Sequence, residues 1–295
     1  MNEPVISFEI FPPATDKGDA SLWAALDRLS ECRPAYVSVT YGAGGSNRDK
    51  SEAIVRRMLQ ETDLLPAAHL TCVGQARESV DRLARHWWQL GVRQIVALRG
   101  DMPDMQGAYR PHPQGYENAA DLVAGLRHVA DFQVSVAAYP ETHPDSPSEQ
   151  ADLDNLKRKI DNGATEAITQ FFFDAACFVR FRDRAAAAGI RVPIVPGILP
   201  ITNFARAVDF AGRCGASVPD WLVDRFDGLD EDPETRERVA AATVIELCRN
   251  LMDEGVDAFH IYTLNRAPLS LALCQGLGVP AGTTVGAPWQ AVATR

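Results

Sequence analysis

The sequence predicts a single (β/α)8 barrel, and three observations predict it. Short β-rich runs alternate with amphipathic helical stretches from one end of the chain to the other, the pattern of a parallel sheet with helical crossovers. Eight β-rich runs can be counted in 295 residues, the usual size of such a barrel. The competing arrangement, an open doubly wound sheet, normally carries a glycine fingerprint. Here Gly42-Ala43-Gly44-Gly45-Ser46-Asn47 places Asn where GxGxxG needs its third Gly, and no Walker A sequence occurs. A dinucleotide, if bound, is not held in the Rossmann manner.

In chain order, the first run is Val5–Phe11. Its period of two puts Ile6, Phe8 and Ile10 on one face and Ser7 and Glu9 on the other, ahead of a turn at Pro12-Pro13. Glu9 therefore points inward near a strand end, where burial raises a carboxyl pKa toward the range of a general acid. A structural ion pair is the other reading. The second run, Tyr36–Tyr41, ends in the backbone-exposing turn Thr40–Gly45, and the third, Ala67–Cys72, sets His69 and Thr71 on one face. Between the third and fourth runs, Glu78–Leu90 repeats Val80, Leu83, Ala84, Trp87 and Trp88 at helical spacing. The fourth run, Gln94–Arg99, leads into Arg99-Gly100-Asp101, and the fifth, Phe132–Tyr139, into Tyr139-Pro140-Glu141-Thr142-His143-Pro144.

The helix that follows carries Asp152, Asn155 and Lys159 on one stripe with Arg158 at its border, beside an apolar stripe of Leu153, Leu156 and Ile160. Acid, amide and cation together suit ribose and phosphate, and equally suit a solvated face. The sixth run, Glu166–Phe173, brings Gln170 and Asp174, and the seventh is Val192–Ile198. Asp224–Glu237 reads as an acidic connecting loop. Glu234–Asp253 reads as a helix closed by Gly255. The eighth run, Ala258–Thr263, leads to Asn265 and Arg266, and the stretch 278–295 reads as a flexible tail on a barrel domain spanning 1–295. Polar residues thus gather at strand ends, where barrels keep their sites.

Composition narrows the function. A formal charge of −10 argues against nucleic-acid binding and against an anionic membrane surface. No apolar run approaches the ~18–20 residues of a bilayer span. The N-terminus MNEPVISFEI lacks the layout of a secretory signal, so a cytoplasmic location is expected. Six scattered cysteines without a CxxC pair read as reduced thiols, and the histidines show no metal spacing, so no metal is expected. No strand ends in the Lys that a Schiff-base lyase would need.

Taken together, Phe8-Glu9-Ile10-Phe11-Pro12-Pro13, Ser38-Val39-Thr40-Tyr41-Gly42-Ala43, His69-Leu70-Thr71-Cys72, Ala97-Leu98-Arg99-Gly100-Asp101, Ala137-Ala138-Tyr139-Pro140-Glu141, Asn155-Leu156-Lys157-Arg158-Lys159, Ile168-Thr169-Gln170-Phe171-Phe172-Phe173-Asp174, Pro196-Gly197-Ile198-Leu199-Pro200 and Tyr262-Thr263-Leu264-Asn265-Arg266 resemble the methylenetetrahydrofolate reductase family. The resemblance runs in order from about residue 5 to residue 279. It implies noncovalently bound FAD, a nicotinamide dinucleotide (NADH by analogy with short relatives) as hydride donor, methylenetetrahydrofolate as acceptor, a ping-pong cycle and a homo-oligomer. By position it implies Glu9 as general acid and Asp101 as the carboxylate between flavin and pterin. Flavin contacts fall on Thr40, Tyr41, His69, Arg99, Gly100, Asp101, Tyr139, His143, Asp152, Asn155, Arg158 and Lys159. Gln170, Phe210, Arg206 and Arg266 fall on the substrate side, Arg206 standing where shorter relatives carry an amide. An enlarged loop, Pro103–Gln114, precedes a further flavin contact at Tyr116 or Ala119. The regulatory domain of larger eukaryotic relatives is expected to be missing.

Overall fold

The computed structural model describes residues 3–41, 47–102 and 109–280. Its strands are β1 (Val5–Ile10), β2 (Val37–Val39), β3 (Pro66–Thr71), β4 (Gln94–Leu98), β5 (Gln133–Ala138), β6 (Glu166–Thr169), β7 (Ile194–Val195), β8 (Gly197–Ile198) and β9 (Ala258–Tyr262). Every pairing among them is parallel, in the order β7-β6-β5-β4-β3-β2-β1-β9-β8. The helices are α1 (Asp16–Ser30), α2 (Arg48–Glu61), α3 (Arg77–Leu90), α4 (Ala119–Val129), α5 (Glu149–Asp161), α6 (Ala175–Ala187), α7 (Phe204–Cys214), α8 (Asp220–Phe226), α9 (Pro233–Asp253) and α10 (Ala267–Gly276). None of the described helices is long and apolar enough to cross a membrane.

Nine strands make eight staves. β7 and β8 are one stave broken at Pro196, whose nitrogen has no hydrogen to donate to a ladder. β7 pairs with β6 through Ala167↔Ile194, while β8 pairs with β9 through Gly197↔His260. The broken stave therefore closes the barrel between its sixth and last strands. All eight predicted β-runs are present, each a residue or more shorter than expected except the third, which keeps its six residues and shifts by one to Pro66–Thr71. The longest shortfall is in β6, which ends at Thr169 because Phe171 and Phe173 turn away into a second apolar cluster with Leu199, Leu222 and Phe226.

Alternation along β1 sorts its side chains as expected. Ile6, Phe8 and Ile10 are at most 3% exposed, in the core between sheet and helices, leaving Ser7 and Glu9 for the barrel interior. In α3, Val80, Leu83, Ala84 and Trp87 are buried and Gly91 ends the helix in the left-handed region. Asp232 caps α9 by accepting from the Thr235 N–H, and Pro233 fills its first turn. That cap corrects one expectation. Of the Asp224–Glu237 stretch, only residues 227–232 connect helices, because Leu222 and Phe226 carry α8 into the second cluster and α9 begins at Pro233. The Gly42–Gly45 part of the second turn, residues 103–108 of the enlarged loop and residues 281–295 of the tail lie outside the described residues.

Candidate active site at the C-terminal mouth

Glu9 stands at the end of β1 with partners from three other staves. Its Oε2 lies 3.3 Å from His69 Nε2 of β3 and 3.6 Å from His260 Nε2 of β9, and Ser38 of β2 donates its hydroxyl at 3.4 Å. Parallel register explains the convergence: Glu9 pairs with Ser38 on one side and Tyr262 on the other, while Ser7 pairs with His260. His69 is 6% exposed and His260 is fully buried, so the trio sits beneath the mouth. Burial presses the Glu9 carboxyl upward, but the imidazoles of His260 and His69 outweigh it and hold the group at about 2. Burial alone had suggested a raised value. The carboxylate is instead the resting form, and a proton must reach it before it can act as an acid.

Thr71 Oγ1 on β3 is buried without a hydrogen-bond partner among the described residues, two residues beyond His69, whose Nε2 faces Glu9. Native structures seldom leave such atoms unpaired, which marks this wall of the mouth as a place for a polar ligand. The β4 turn packs against the same strand. Gly100 has φ +80, and a Cβ there would lie 2.6 Å from Val73 Cγ1 and 2.9 Å from Thr71 Cβ, so only glycine fits. Arg99 pairs with Asp145 at 2.9 Å and with Asp101 at 3.9 Å, and it lies over the Tyr109 ring. The Asp101 side chain itself is 64% exposed at the rim.

The β5 loop and α5 form one unit. Tyr139 and His143 meet edge to face at 4.6 Å. The His143 N–H donates to Asp152, and Asn155 accepts from Arg158. Burial lowers the His143 pKa and lifts that of Tyr139 to about 12. Arg158 is exposed, whereas Lys159 is 6% exposed and donates to the Ala137 carbonyl, its pKa pushed down to about 8 by burial. Glu141 accepts from the Ser217 N–H and hydroxyl, which ties this loop to the α7–α8 connection.

On the other side of the mouth, Phe210 of α7 stacks on Phe171 at 5.2 Å and remains 37% exposed. Gln170 leads into that aromatic pair, its side-chain oxygen accepting from the Phe171 N–H. Arg206 and Arg266 are exposed at the first turns of α7 and α10. Thr40 and Tyr41 follow β2, the latter buried. Tyr116 stands apart: its hydroxyl donates to Asp81 of α3, and Arg77 covers its ring. Ala119 opens α4, whose next two N–H groups are capped by Asn118.

One participant was not singled out in the sequence. His260 lies on the inward face of the last predicted run, and extending the period-two argument to that run would have found it. Asn265 has φ +57 and grips the Phe11 N–H and carbonyl at 3.0 and 2.8 Å, fastening the end of β1 beside Glu9. Non-glycine residues seldom adopt that backbone, and Leu264 beside it shares it at φ +50.

A sequence model of the family described as methylenetetrahydrofolate reductase matches residues 1–278. The 5,10-methylenetetrahydrofolate reductase of Pectobacterium carotovorum is 52% identical over 274 residues, covering 93% of this chain and 90% of that protein. The enzyme of the same name from Escherichia coli is 50% identical over 277 residues, covering 94% and 92%. Among solved structures, a Clostridium thermocellum protein described as binding two copies of 5-methyl-5,6,7,8-tetrahydrofolic acid superposes with a TM-score of 0.63 at 13% identity. It covers 94% of this chain and 95% of that one, a likeness of fold.

Proposed function

The chain belongs to the methylenetetrahydrofolate reductase family, and from that premise we propose that it reduces 5,10-methylenetetrahydrofolate to 5-methyltetrahydrofolate, with FAD as bound hydride carrier and NADH as donor. The observation that carries this reading is Glu9: a carboxylate at the end of β1, flanked by two imidazoles and with its side chain still 23% exposed. Methylenetetrahydrofolate holds its one-carbon unit in a five-membered ring. Ring opening to an N5 iminium needs a proton on N10, and Glu9 would deliver it. The exposed negative charge of Asp101 favours that cationic iminium.

The residues fit a flavin. The unpaired Thr71 Oγ1 offers a polar contact along one wall, and Arg99, Arg158 and Lys159 supply positive charge on the side of the β5 loop for a diphosphate. When bound, the flavin accepts hydride from the nicotinamide and passes it to the folate, while the protein supplies placement and charge. Gln170 and the Phe171–Phe210 stack would orient whichever substrate occupies the open side. Reduction consumes one proton per methyl group formed, all of it in the folate half of the cycle.

Anaerobic stopped-flow absorbance tests the reading. FAD-loaded protein should bleach with NADH and regain its colour with methylenetetrahydrofolate. Protein that stays colourless after FAD addition, or that bleaches without recovering, argues against it. Glu9→Gln keeps the shape but holds no acidic proton. It should bleach within a fewfold of the parent rate and recover about 10²-fold more slowly, about 3 kcal/mol of barrier. Equal losses in both halves would make Glu9 a structural residue.

A further inference from the structure

The β1–β9 ladder runs to its last pair, Glu9 with Tyr262, and one bond further, where the Thr263 N–H donates to the Glu9 carbonyl at 3.2 Å. A parallel ladder continued in the same way would have Phe11 donate to the Thr263 carbonyl and accept from the Asn265 N–H. Neither bond is present. The Thr263 carbonyl takes the Arg266 N–H at 2.9 Å, and the Asn265 N–H turns to the Thr263 hydroxyl at 3.1 Å. Both vacated places are filled by one side chain. Asn265 Oδ1 accepts from the Phe11 N–H at 3.0 Å, and its Nδ2 donates to the Phe11 carbonyl at 2.8 Å. A carboxamide carries the same kinds of donor and acceptor as a peptide group, so it can stand in for one. The Thr263 hydroxyl adds a bond of 2.7 Å to the Glu9 carbonyl.

This exchange of backbone for side chain lets the chain leave the sheet without releasing β1. Leu264 and Asn265 take φ +50 and +57, a conformation that residues other than glycine hold only where their surroundings enforce it. Asn joins tolerance of that region to a carboxamide of the right reach. Asp lacks the donor, and Gln is one methylene longer. The turn leaves Leu264 38% exposed and sets Arg266, also exposed, ahead of α10. We propose that Asn265 is a positioning residue for Glu9. It holds the end of β1 extended, so that the Glu9 carboxyl keeps its place 3.3 Å from His69 Nε2 while the chain beyond Tyr262 turns away. The proposal rests on the reading of Glu9 as the acid of the folate half-reaction. Glu9 is fastened at its own carbonyl by Thr263 and two residues later by Asn265. Without Asn265 the second fastening is lost, and Phe11 is free to follow Pro12 and Pro13 away from β9.

Asn265→Gly suits the left-handed backbone and removes both bonds to Phe11, while Asn265→Asp keeps the shape and removes only the donor. In flavin-loaded enzyme, bleaching by NADH should stay within about twofold of the parent, while recovery at saturating methylenetetrahydrofolate slows about tenfold in either variant, the scale of a misplaced catalytic group. Saturation separates this loss from weaker folate binding through the neighbouring Arg266. Flavin-free protein gives a second reading. In Asn265→Gly the Phe11 amide should exchange with solvent about tenfold faster. The 15N resonances of the His69 ring should shift, while those of exposed His128 stay in place. Recovery at the parent rate in both variants, equal slowing of both half-reactions, or unmoved His69 resonances would overturn the assignment. Fast recovery in Glu9→Gln would instead remove the acid itself, and with it the need to position it.

Discussion

At the scale of single residues, Glu9 shows how far neighbours outweigh burial. A carboxylate held at about 2 rather than its ordinary 4.5 links folding to pH. The folded pKa is the lower one, so the unfolded chain binds the extra proton. The stabilisation is complete above 4.5 and is lost as pH falls toward 2. Between pH 5 and pH 3 the linkage amounts to about 2 kcal/mol. Urea unfolding of flavin-free protein at those two values should show the parent losing about 2 kcal/mol more than Glu9→Gln. Identical losses would mean that the contacts to His69 and His260 do not hold the Glu9 carboxyl below its ordinary range. The inward aim of Glu9 was legible in the alternation along Val5–Phe11. The sign of its ionisation was not, because His69 and His260 come from strands remote in sequence and meet Glu9 only through parallel register.

At the scale of elements, α5 divides its cations between two jobs. The 100° spacing placed Asp152, Asn155 and Lys159 on one stripe and Leu153 and Leu156 on the adjacent one, and the two leucines are buried as expected. Spacing did not reveal that Lys159 is buried too. A lysine on a polar stripe reads as solvated until β5 is found beneath it, with the Ala137 carbonyl taking its Nζ. Arg158, at the border, keeps its guanidinium exposed. Arg158→Ala should therefore weaken FAD retention on dialysis while moving Tm by no more than about 2 °C, as for most surface changes. Lys159→Ala should weaken FAD and also lower stability by about 2 kcal/mol or more, since it leaves a cavity and removes the hydrogen bond to the Ala137 carbonyl. Thermal unfolding of the flavin-free variants separates the two. Equal Tm losses would mean that Arg158 is as structural as Lys159.

At the scale of the whole molecule, the eightfold alternation of runs was legible because each βα unit writes its own period of two and then of 3.6 into the chain. How the barrel closes was not. Pro196 marks where the seventh stave breaks, but its pairing with β6 on one side and β9 on the other is a set of contacts that no local pattern encodes. Closure has a consequence for kinetics. Parallel staves bring Glu9, Thr71, Arg99 and the β5 loop to one mouth, with Gln170 and the Phe171–Phe210 stack following β6, while Tyr116 stays apart against α3. Were a flavin to lie along β3 and the β5 loop, a single open face would remain for both nicotinamide and folate. Two planar rings competing for that one aromatic surface would exclude each other, and no ternary complex would form. Initial rates against both substrates should then give parallel lines in double-reciprocal form, each substrate inhibiting competitively against the other at high concentration. Phe210→Ala should weaken both substrates together, by about tenfold in KM for each, because the same ring serves both. Intersecting lines, or a loss confined to one substrate, would require two separate subsites in the mouth.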